Sequence, residues 1–184
     1  KNFIDILNNT DSENFKNEIE KVLDVDNQLM MLACNVLLGA WDDYWVLAKN
    51  FYFYHDIVTG QFNHIPHDFD GSLGTDWYYH RNSSANITNG NVYNWSPNNG
   101  RPLVKKLLEV PEYRKKYTQY LYLLCSGPFS LDVLEPEIDR TANLIRETLT
   151  SDPYWSADFN WLTSDFNTSL VRSIPRGNVK YGLK

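Results

Sequence analysis

Apolar and polar positions in the first part of the chain predict two helices. The TDSE motif at 10–13 has the spacing of a capping box, so a helix is expected from there to about Leu23. Asp24 or Asp26 can cap a second helix over 27–38. Apolar residues cover nearly every face of this second helix, which predicts that it is buried at the centre of the domain.

The next segment has the aromatic content and the turn signals of a β-hairpin. Residues 50–55 are rich in Phe and Tyr, which favours a strand. Residues 56–60 end in glycine and are expected to turn the chain, and residues 61–65 form the returning strand. Pro66 closes this strand, because proline cannot donate to the ladder of hydrogen bonds.

The remainder of the chain is predicted to be an irregular loop followed by helices. Residues 74–100 are rich in Asn, Ser and Gly, as expected for a long surface loop. A short helix is predicted over 101–108, and apolar residues recur at helical spacing over 113–124 and 134–149. Another helix is predicted over 165–174. These elements together predict an α+β fold that is mainly helical.

Composition narrows the class of protein. The chain has 184 residues, with 42% hydrophobic and 22% charged residues, which is typical of a soluble globular domain. Its net charge of −6 argues against a general nucleic-acid-binding protein, because phosphate contacts need a basic face. No run of 18 apolar residues is present, so no transmembrane helix is expected.

Acceptor sequences for N-glycosylation point to a secreted glycoprotein. Five Asn residues fit the sequon: Asn8, Asn82, Asn86, Asn94 and Asn167. Three of them fall in the predicted surface loop, which agrees with exposure. The alternative is chance occurrence in a chain rich in asparagine.

The two cysteines, Cys34 and Cys125, both lie in apolar runs. Buried free thiols are one interpretation, and a single disulfide between helices is the other. Their spacing does not match that of a metal site.

Candidate metal ligands bunch around the predicted hairpin. Because a hairpin brings its two ends together, Asn50 at its start and Asp68 just past its end can approach each other. Asp42 precedes the same hairpin. Carboxylate and amide oxygens are ligands that suit Mg²⁺ or Mn²⁺ better than zinc. The sequence therefore predicts one divalent-metal site shared by these three residues.

The order of these residues is that of phosphoryl-transfer enzymes. Eukaryotic-type kinases place an Asp after a buried helix, then an Asn, then an Asp-Phe-Gly turn that holds the metal. Three stretches, NVLLGAWD at 35–42, KNFYFY at 49–54 and IPHDFDGSLG at 65–74, resemble the core of the CotH kinase family, which comprises spore-coat proteins and secreted fungal relatives. SPNNGRPL at 96–103 and VPEYR at 110–114 resemble its fungal branch.

This resemblance implies an atypical protein-kinase-like fold that phosphorylates Ser or Thr of secreted, surface or coat proteins, using ATP with Mg²⁺ or Mn²⁺. Asp42 would be the catalytic-loop Asp. Asn50 and Asp68 would bind the cofactor and its metal, and Asp70 would add a further metal ligand. The resemblance also implies a secreted or cell-surface location, and we expect a monomer.

The chain departs from the kinase pattern in two respects. Asp42 and Asn50 are eight residues apart instead of five, so the loop must differ, and Asp43 could take the role of Asp42. No Gly-rich strand turn and no strand Lys paired with a helix Glu precede residue 26. We therefore expect residues 1–184 to form one domain, the C-terminal lobe, which by itself binds ATP weakly or not at all.

The acidic turn around Asp68 has other interpretations. It can be a plain acidic turn after a strand. The alternate spacing of Asp68, Asp70, Ser72 and Asp76 also fits a calcium site, although not an EF-hand, since Leu73 and Tyr79 stand where that loop has Gly and Glu.

Two further function classes stay open. Asp42 and Asp68 could flank a sugar as a glycosidase pair. The aromatic residues of the segment 77–95 could contact sugars or a partner surface, as in a non-catalytic, kinase-like adhesion module.

Overall fold

A computed structural model of the protein describes residues 2–73, 90–96, 101–155, 161–176 and 179–181. Its helices are α1 (Asn2–Asn9), α2 (Ser12–Ile19), α3 (Val25–Leu38), α4 (Pro102–Glu109), α5 (Pro111–Cys125), α6 (Leu131–Ser151) and α7 (Thr163–Ser169). Its strands are β1 (Phe51–His55), β2 (Phe62–Pro66), β3 (Ile174–Arg176) and β4 (Val179–Tyr181). The predicted α+β, mainly helical fold is confirmed. Among these helices none has the length and apolar character needed to cross a membrane.

The first helices differ from the prediction in their ends. Asp11, and not Thr10, caps α2, because its carboxylate accepts a hydrogen bond from the backbone N–H of Asn14 at 2.9 Å. The helix ends at Ile19 instead of Leu23. Helix α1 was not predicted, and it packs against α2 and α4 through a face that includes the buried Phe3 and Leu7.

Helix α3 is the central element, as predicted. Asp24 caps it by accepting a hydrogen bond from the N–H of Asn27 at 2.9 Å, and Gly39 ends it with φ at 65°. The helix packs against α5 on one side and β2 on another. Its apolar residues form one core with the buried stripe of α5, namely Tyr113, Tyr117, Leu121 and Leu124.

The hairpin forms with the predicted pairing. β1 and β2 are antiparallel, with Phe51 opposite Pro66 and Phe53 opposite His64. The Phe side chains point toward the core, whereas Tyr52 and Tyr54 point outward, 58% and 56% exposed. The hairpin is fixed to the helices by the backbone of Phe62, whose carbonyl accepts from the N–H of Asp24 at 2.9 Å.

The last third of the chain is less regular than predicted. The apolar stripe of α6 is only partly covered, and Ala142 is its one buried member. The helix predicted over 165–174 ends at Ser169, and the β3–β4 hairpin follows.

The predicted loop 74–100 is described only over 90–96; its other residues, with the sequons at Asn82 and Asn86, lie outside the described residues. Within the described part, Trp95 is 6% exposed and its Nε1 donates to the carbonyl of Ala40 at 3.0 Å. The prediction of an exposed aromatic surface was therefore wrong for Trp95, which packs in the core.

Both cysteines are free thiols. Cys34 is half-buried, and burial raises the pKa of its thiol. Cys125 is exposed, so the prediction that both are buried was wrong for this residue, which stands at the last position of α5.

Candidate functional site

Two segments distant in sequence are joined where α3 ends. The N–H of Trp41 donates to the carbonyl of Gly71 at 3.2 Å, and the N–H of Leu73 donates to the carbonyl of Leu38 at 2.8 Å. A methyl group on Gly71 would lie 2.9 Å from Cβ of Asp42, so only glycine fits here without a shift. These contacts bring the acidic turn after β2 against Asp42.

Asp42 is held by two residues at the start of the hairpin. Its Oδ2 accepts a hydrogen bond from Nδ2 of Asn50 at 3.0 Å. Its Oδ1 lies 2.9 Å from Nζ of Lys49 in an ion pair, and no directional hydrogen bond reaches this oxygen. The Asp42 side chain is 11% exposed and that of Lys49 is 55% exposed. The ion pair with Asp42 raises the pKa of Lys49.

Asp68 lines the same small recess as Asp42 and Asn50. It is exposed, and its backbone φ is 54°. Asp70 is exposed and does not line the recess, although its negative charge helps to raise the pKa of Lys49. The sequence-predicted residues Asp42, Asn50 and Asp68 therefore do meet, with Asp70 at the edge.

The candidate metal ligands do not form a complete metal site in this structure. Over the ranges described, no three His, Cys, Asp or Glu side chains are grouped closely enough to hold a metal ion. The donors that are present fit a hard cation: the carboxylates of Asp42 and Asp68, and the amide oxygen of Asn50, whose nitrogen is used by Asp42. The positive charge next to Asp42 in this structure is the ammonium group of Lys49.

The backbone around this recess is strained. Ala48, Asn50, Asp68 and Leu73 have φ between 51° and 57°, and they are the non-glycine residues with positive φ in the described chain. Such conformations cost roughly 1–3 kcal/mol each and persist where the surrounding contacts enforce them. All four lie in the loops that hold the candidate residues, which fits a site built for a fixed geometry.

Asp43 also lines the recess, but its carboxylate is bound by other groups of the protein. It is 4% exposed, and its carboxylate accepts hydrogen bonds from Nδ2 of Asn35 and from the N–H of Val46, both at 2.9 Å. Burial raises its pKa to about 6 and outweighs these donors, which act in the opposite direction. The geometry does not support Asp43 as a substitute for Asp42.

The longer spacing between Asp42 and Asn50 has a structural explanation. The backbone carbonyl of Asp43 accepts from the N–H of Leu47 at 3.1 Å and from that of Lys49 at 3.4 Å, which closes the extra residues into a compact turn. The turn brings Asn50 back to Asp42 although the two residues are eight positions apart.

Arg101 supports this loop from outside. Its Nε donates to the carbonyl of Tyr44 at 2.7 Å, and its Nη2 donates to that of Val46 at 2.9 Å. Neither Arg101 nor Lys49 was predicted as a site residue. The position of Lys49 beside Asn50 was the available signal, whereas nothing local to Arg101 indicates its partners.

His64 forms one wall of the recess. It is 3% exposed, its ring Nδ1 lies 3.2 Å from Oε1 of Gln28, and it packs against Phe51 and Phe53. Burial lowers its pKa to about 4. His64 is therefore a neutral structural residue, and His67 contacts the ring of Tyr52.

Comparison with known proteins agrees with this arrangement. A family model described as CotH kinase protein matches residues 1–172. The chain belongs to the CotH kinase family. The CotH match includes Asp42, Asn50, Asp68 and Asp70, and it extends through the helices that support them.

Two curated relatives carry spore-coat names. The chain is 29% identical over 152 residues to inner spore coat protein H of Bacillus subtilis strain 168, covering 83% of this chain and 39% of the relative. It is 28% identical over 138 residues to spore coat protein homolog 1 of Rhizopus delemar, covering 74% and 22%. The chain thus spans well under half of these CotH-related proteins. Because the two identities are so close, the fungal branch stays a prediction.

Proposed function

We propose that this chain is the C-terminal, catalytic-loop lobe of a CotH-type protein kinase, which transfers the γ-phosphate of ATP to Ser or Thr. The observation that carries the proposal is the hydrogen bond between Asn50 and Asp42 at 3.0 Å, with Asp68 on the wall of the same recess. Phosphoryl transfer needs a carboxylate facing the acceptor and oxygen ligands facing the phosphates, and this pair of functions fits these three residues.

Asp42 is suited to orient the acceptor hydroxyl. Asn50 fixes one of its oxygens by donating Nδ2, so the other oxygen faces Lys49 and the recess. A carboxylate held in this way can accept a hydrogen bond from a substrate hydroxyl and take its proton as the phosphoryl group is transferred. Such fixed positioning accounts for much of the rate enhancement in phosphoryl transfer.

Asn50 and Asp68 are the residues that would hold Mg²⁺ or Mn²⁺ with ATP, and Asp70 would add a ligand from the edge of the recess. The amide oxygen of Asn50 is left for this role because its nitrogen serves Asp42. When bound, the metal neutralises charge on the phosphoryl oxygens. Gly71 lets the acidic turn approach Asp42 closely enough for one site to include both sides.

The relatives named as spore coat proteins suggest where the protein acts. We place it in a coat, at a cell surface or in the secreted fraction, with a coat or surface protein as substrate. Because the relatives are much longer, the other half of the ATP cleft is expected from further residues of the natural polypeptide. The chain itself is proposed to be one monomeric domain.

The proposal is tested by phosphate transfer from labelled ATP with the natural full-length protein, in Mg²⁺ and in Mn²⁺. Asp42→Asn and Asp68→Ala should each lower transfer at least about 100-fold while the melting temperature stays near that of the wild type. Asp139→Asn, a change at an exposed position on α6, is the matched control and should transfer normally. Normal transfer by Asp68→Ala would instead favour a kinase-like scaffold that binds surfaces without catalysis.

A further inference from the structure

Lys49 lies among the acidic residues of the candidate site. Its Nζ is 2.9 Å from Oδ1 of Asp42, and that oxygen has no directional hydrogen bond from any other described group. The charges of Asp70 and Asp68 also raise the pKa of this ammonium group, by less than Asp42 does. One lysine therefore balances negative charge from both segments that form the recess.

The backbone on both sides of Lys49 adopts an unusual conformation, whereas its side chain is largely in solvent. Ala48 and Asn50, on either side, are held at φ of 57° and 55°. The side chain itself is 55% exposed, and a lysine has a flexible four-carbon stem with three rotatable donors. The ammonium group can thus leave Asp42 without any change in the loop.

We propose that Lys49 is the resident counter-ion of this site: its charge opposes the binding of a divalent cation at the neighbouring Asn50 and Asp68, and it turns from Asp42 to the phosphates when a metal–nucleotide complex binds. The inference rests on the proposed function and adds a residue to it. A lysine counter-ion would explain why acidic residues lie close to this recess although, among the described residues, no three of them are grouped as a metal site. An ammonium group near Asp42 offsets their repulsion in place of the metal.

The test measures binding and not activity. Mn²⁺ is titrated into the full-length protein, and free Mn²⁺ is followed by electron paramagnetic resonance, first without nucleotide and then with a β,γ-imido analogue of ATP. Lys49→Met should bind Mn²⁺ about three- to tenfold more tightly without nucleotide, because a competing positive charge is removed. With the analogue present the sign should reverse, and Lys49→Met should bind the Mn²⁺–nucleotide complex about tenfold more weakly.

Two variants serve as controls. Lys49→Arg keeps the charge and should stay within about twofold of the wild type. Lys115→Met changes an exposed lysine of α5 and should match the wild type in both titrations. An Mn²⁺ affinity of Lys49→Met equal to or weaker than that of the wild type, or an unchanged nucleotide affinity, would overturn the inference.

Asp68→Asn separates this inference from the proposed function. If Asp68→Asn weakens Mn²⁺ binding and Lys49→Met does not strengthen it, the metal site stands and the role of Lys49 is wrong. If Asp68→Asn leaves Mn²⁺ binding unchanged, or the wild type binds no Mn²⁺, the metal site itself fails, and the proposed function fails with it.

Discussion

Nδ2 of Asn50 donates to Oδ2 of Asp42 at 3.0 Å, and this bond closes a loop in which the neighbouring carboxylate, that of Asp43, has different partners. Both residues line the recess, but Asp43 is buried and accepts hydrogen bonds from Asn35 and Val46, whereas Asp42 is bound by Asn50 and Lys49. Two neighbouring carboxylates thus have different tasks. Asp43 stabilises the loop, and Asp42 is the residue to which we assign the acceptor hydroxyl in the proposed function.

Asn50 can be tested with two variants that both remove its side chain. Asn50→Ala and Asn50→Gly lose the donor to Asp42 and the amide oxygen, so both should lower phosphate transfer by about 100-fold or more. Asn50→Ala should be less stable than Asn50→Gly by about 1 kcal/mol, because φ is 55° and glycine tolerates this conformation better than alanine. Transfer and thermal unfolding are measured on the same samples. Full transfer by Asn50→Gly would contradict the assigned role.

Gly71→Ala should damage both the fold and the site. The added methyl group would lie 2.9 Å from Cβ of Asp42 and 3.2 Å from the ring of Trp41, so these side chains must shift. We expect a loss of roughly 1–3 kcal/mol in the free energy of unfolding and a marked fall in phosphate transfer.

Gly60→Ala is the matched comparison for Gly71→Ala. Gly60 lies in open space with φ at 75° in the hairpin turn, so its replacement should cost about 1 kcal/mol through backbone strain and leave transfer unchanged. If both variants transferred phosphate equally well, the close approach at Gly71 would not matter for the site.

Asp43 and His64 should make opposite contributions to the pH dependence of stability. The pKa of Asp43 is raised from 3.8 to about 6, so its contribution is fully present below pH 3.8 and is lost as the pH rises through 6. The pKa of His64 is lowered from 6.5 to about 4, so its contribution is present above pH 6.5 and is lost as the pH falls through 4. Between these limits the two effects largely cancel.

Removing one of the two groups should reveal the effect of the other on the pH dependence of stability. Relative to the wild type, Asp43→Asn should gain stability as the pH rises from 4 to 6.5, by about 2–3 kcal/mol, since only His64 then titrates. His64→Asn should lose a similar amount over the same range. Urea unfolding at several pH values measures both slopes. Parallel curves for the three proteins would show that neither group titrates with a shifted pKa.

Local signals in the sequence were sufficient to predict the helix and the hairpin that hold the candidate site. Asp24 caps α3 as its position suggested, and the hairpin follows from its aromatic run and its turn. These features depend on residues within a few positions of each other, so they can be predicted from composition and spacing. The meeting of Asn50 with Asp42 and Asp68 followed from hairpin geometry, with the family resemblance assigning the roles.

Features that depend on distant contacts were not predictable. Asp42 and Asp43 are adjacent and chemically identical, and the more buried of the two, Asp43, is the one that meets Asn35 of α3, which the local sequence does not reveal. The same holds for Trp95, whose indole reaches Ala40 across 55 residues and makes it a core residue in a segment read as exposed. The partly covered face of α6 likewise cannot be read from its regular apolar spacing.

Arg101 provides the last prediction, because it supports the loop from 57 and 55 residues away through the carbonyls of Tyr44 and Val46. Arg101→Met leaves both half-buried carbonyls without these donors and should cost about 2–3 kcal/mol. Hydrogen exchange of the amides over 44–50 should accelerate at least about tenfold, and phosphate transfer should fall because Asp42 and Asn50 lose their fixed relationship.

Arg101→Lys can restore one of the two hydrogen bonds and should show intermediate exchange. Arg140→Met is the matched control, because Arg140 pairs with Glu137 on the exposed surface of α6, and it should leave exchange over 44–50 unchanged. If Arg101→Met unfolded more easily but kept wild-type exchange in this loop, Arg101 would stabilise the core without positioning Asp42 and Asn50. Faster exchange confined to the loop would identify Arg101 as the residue that keeps Asp42 and Asn50 in their relative positions.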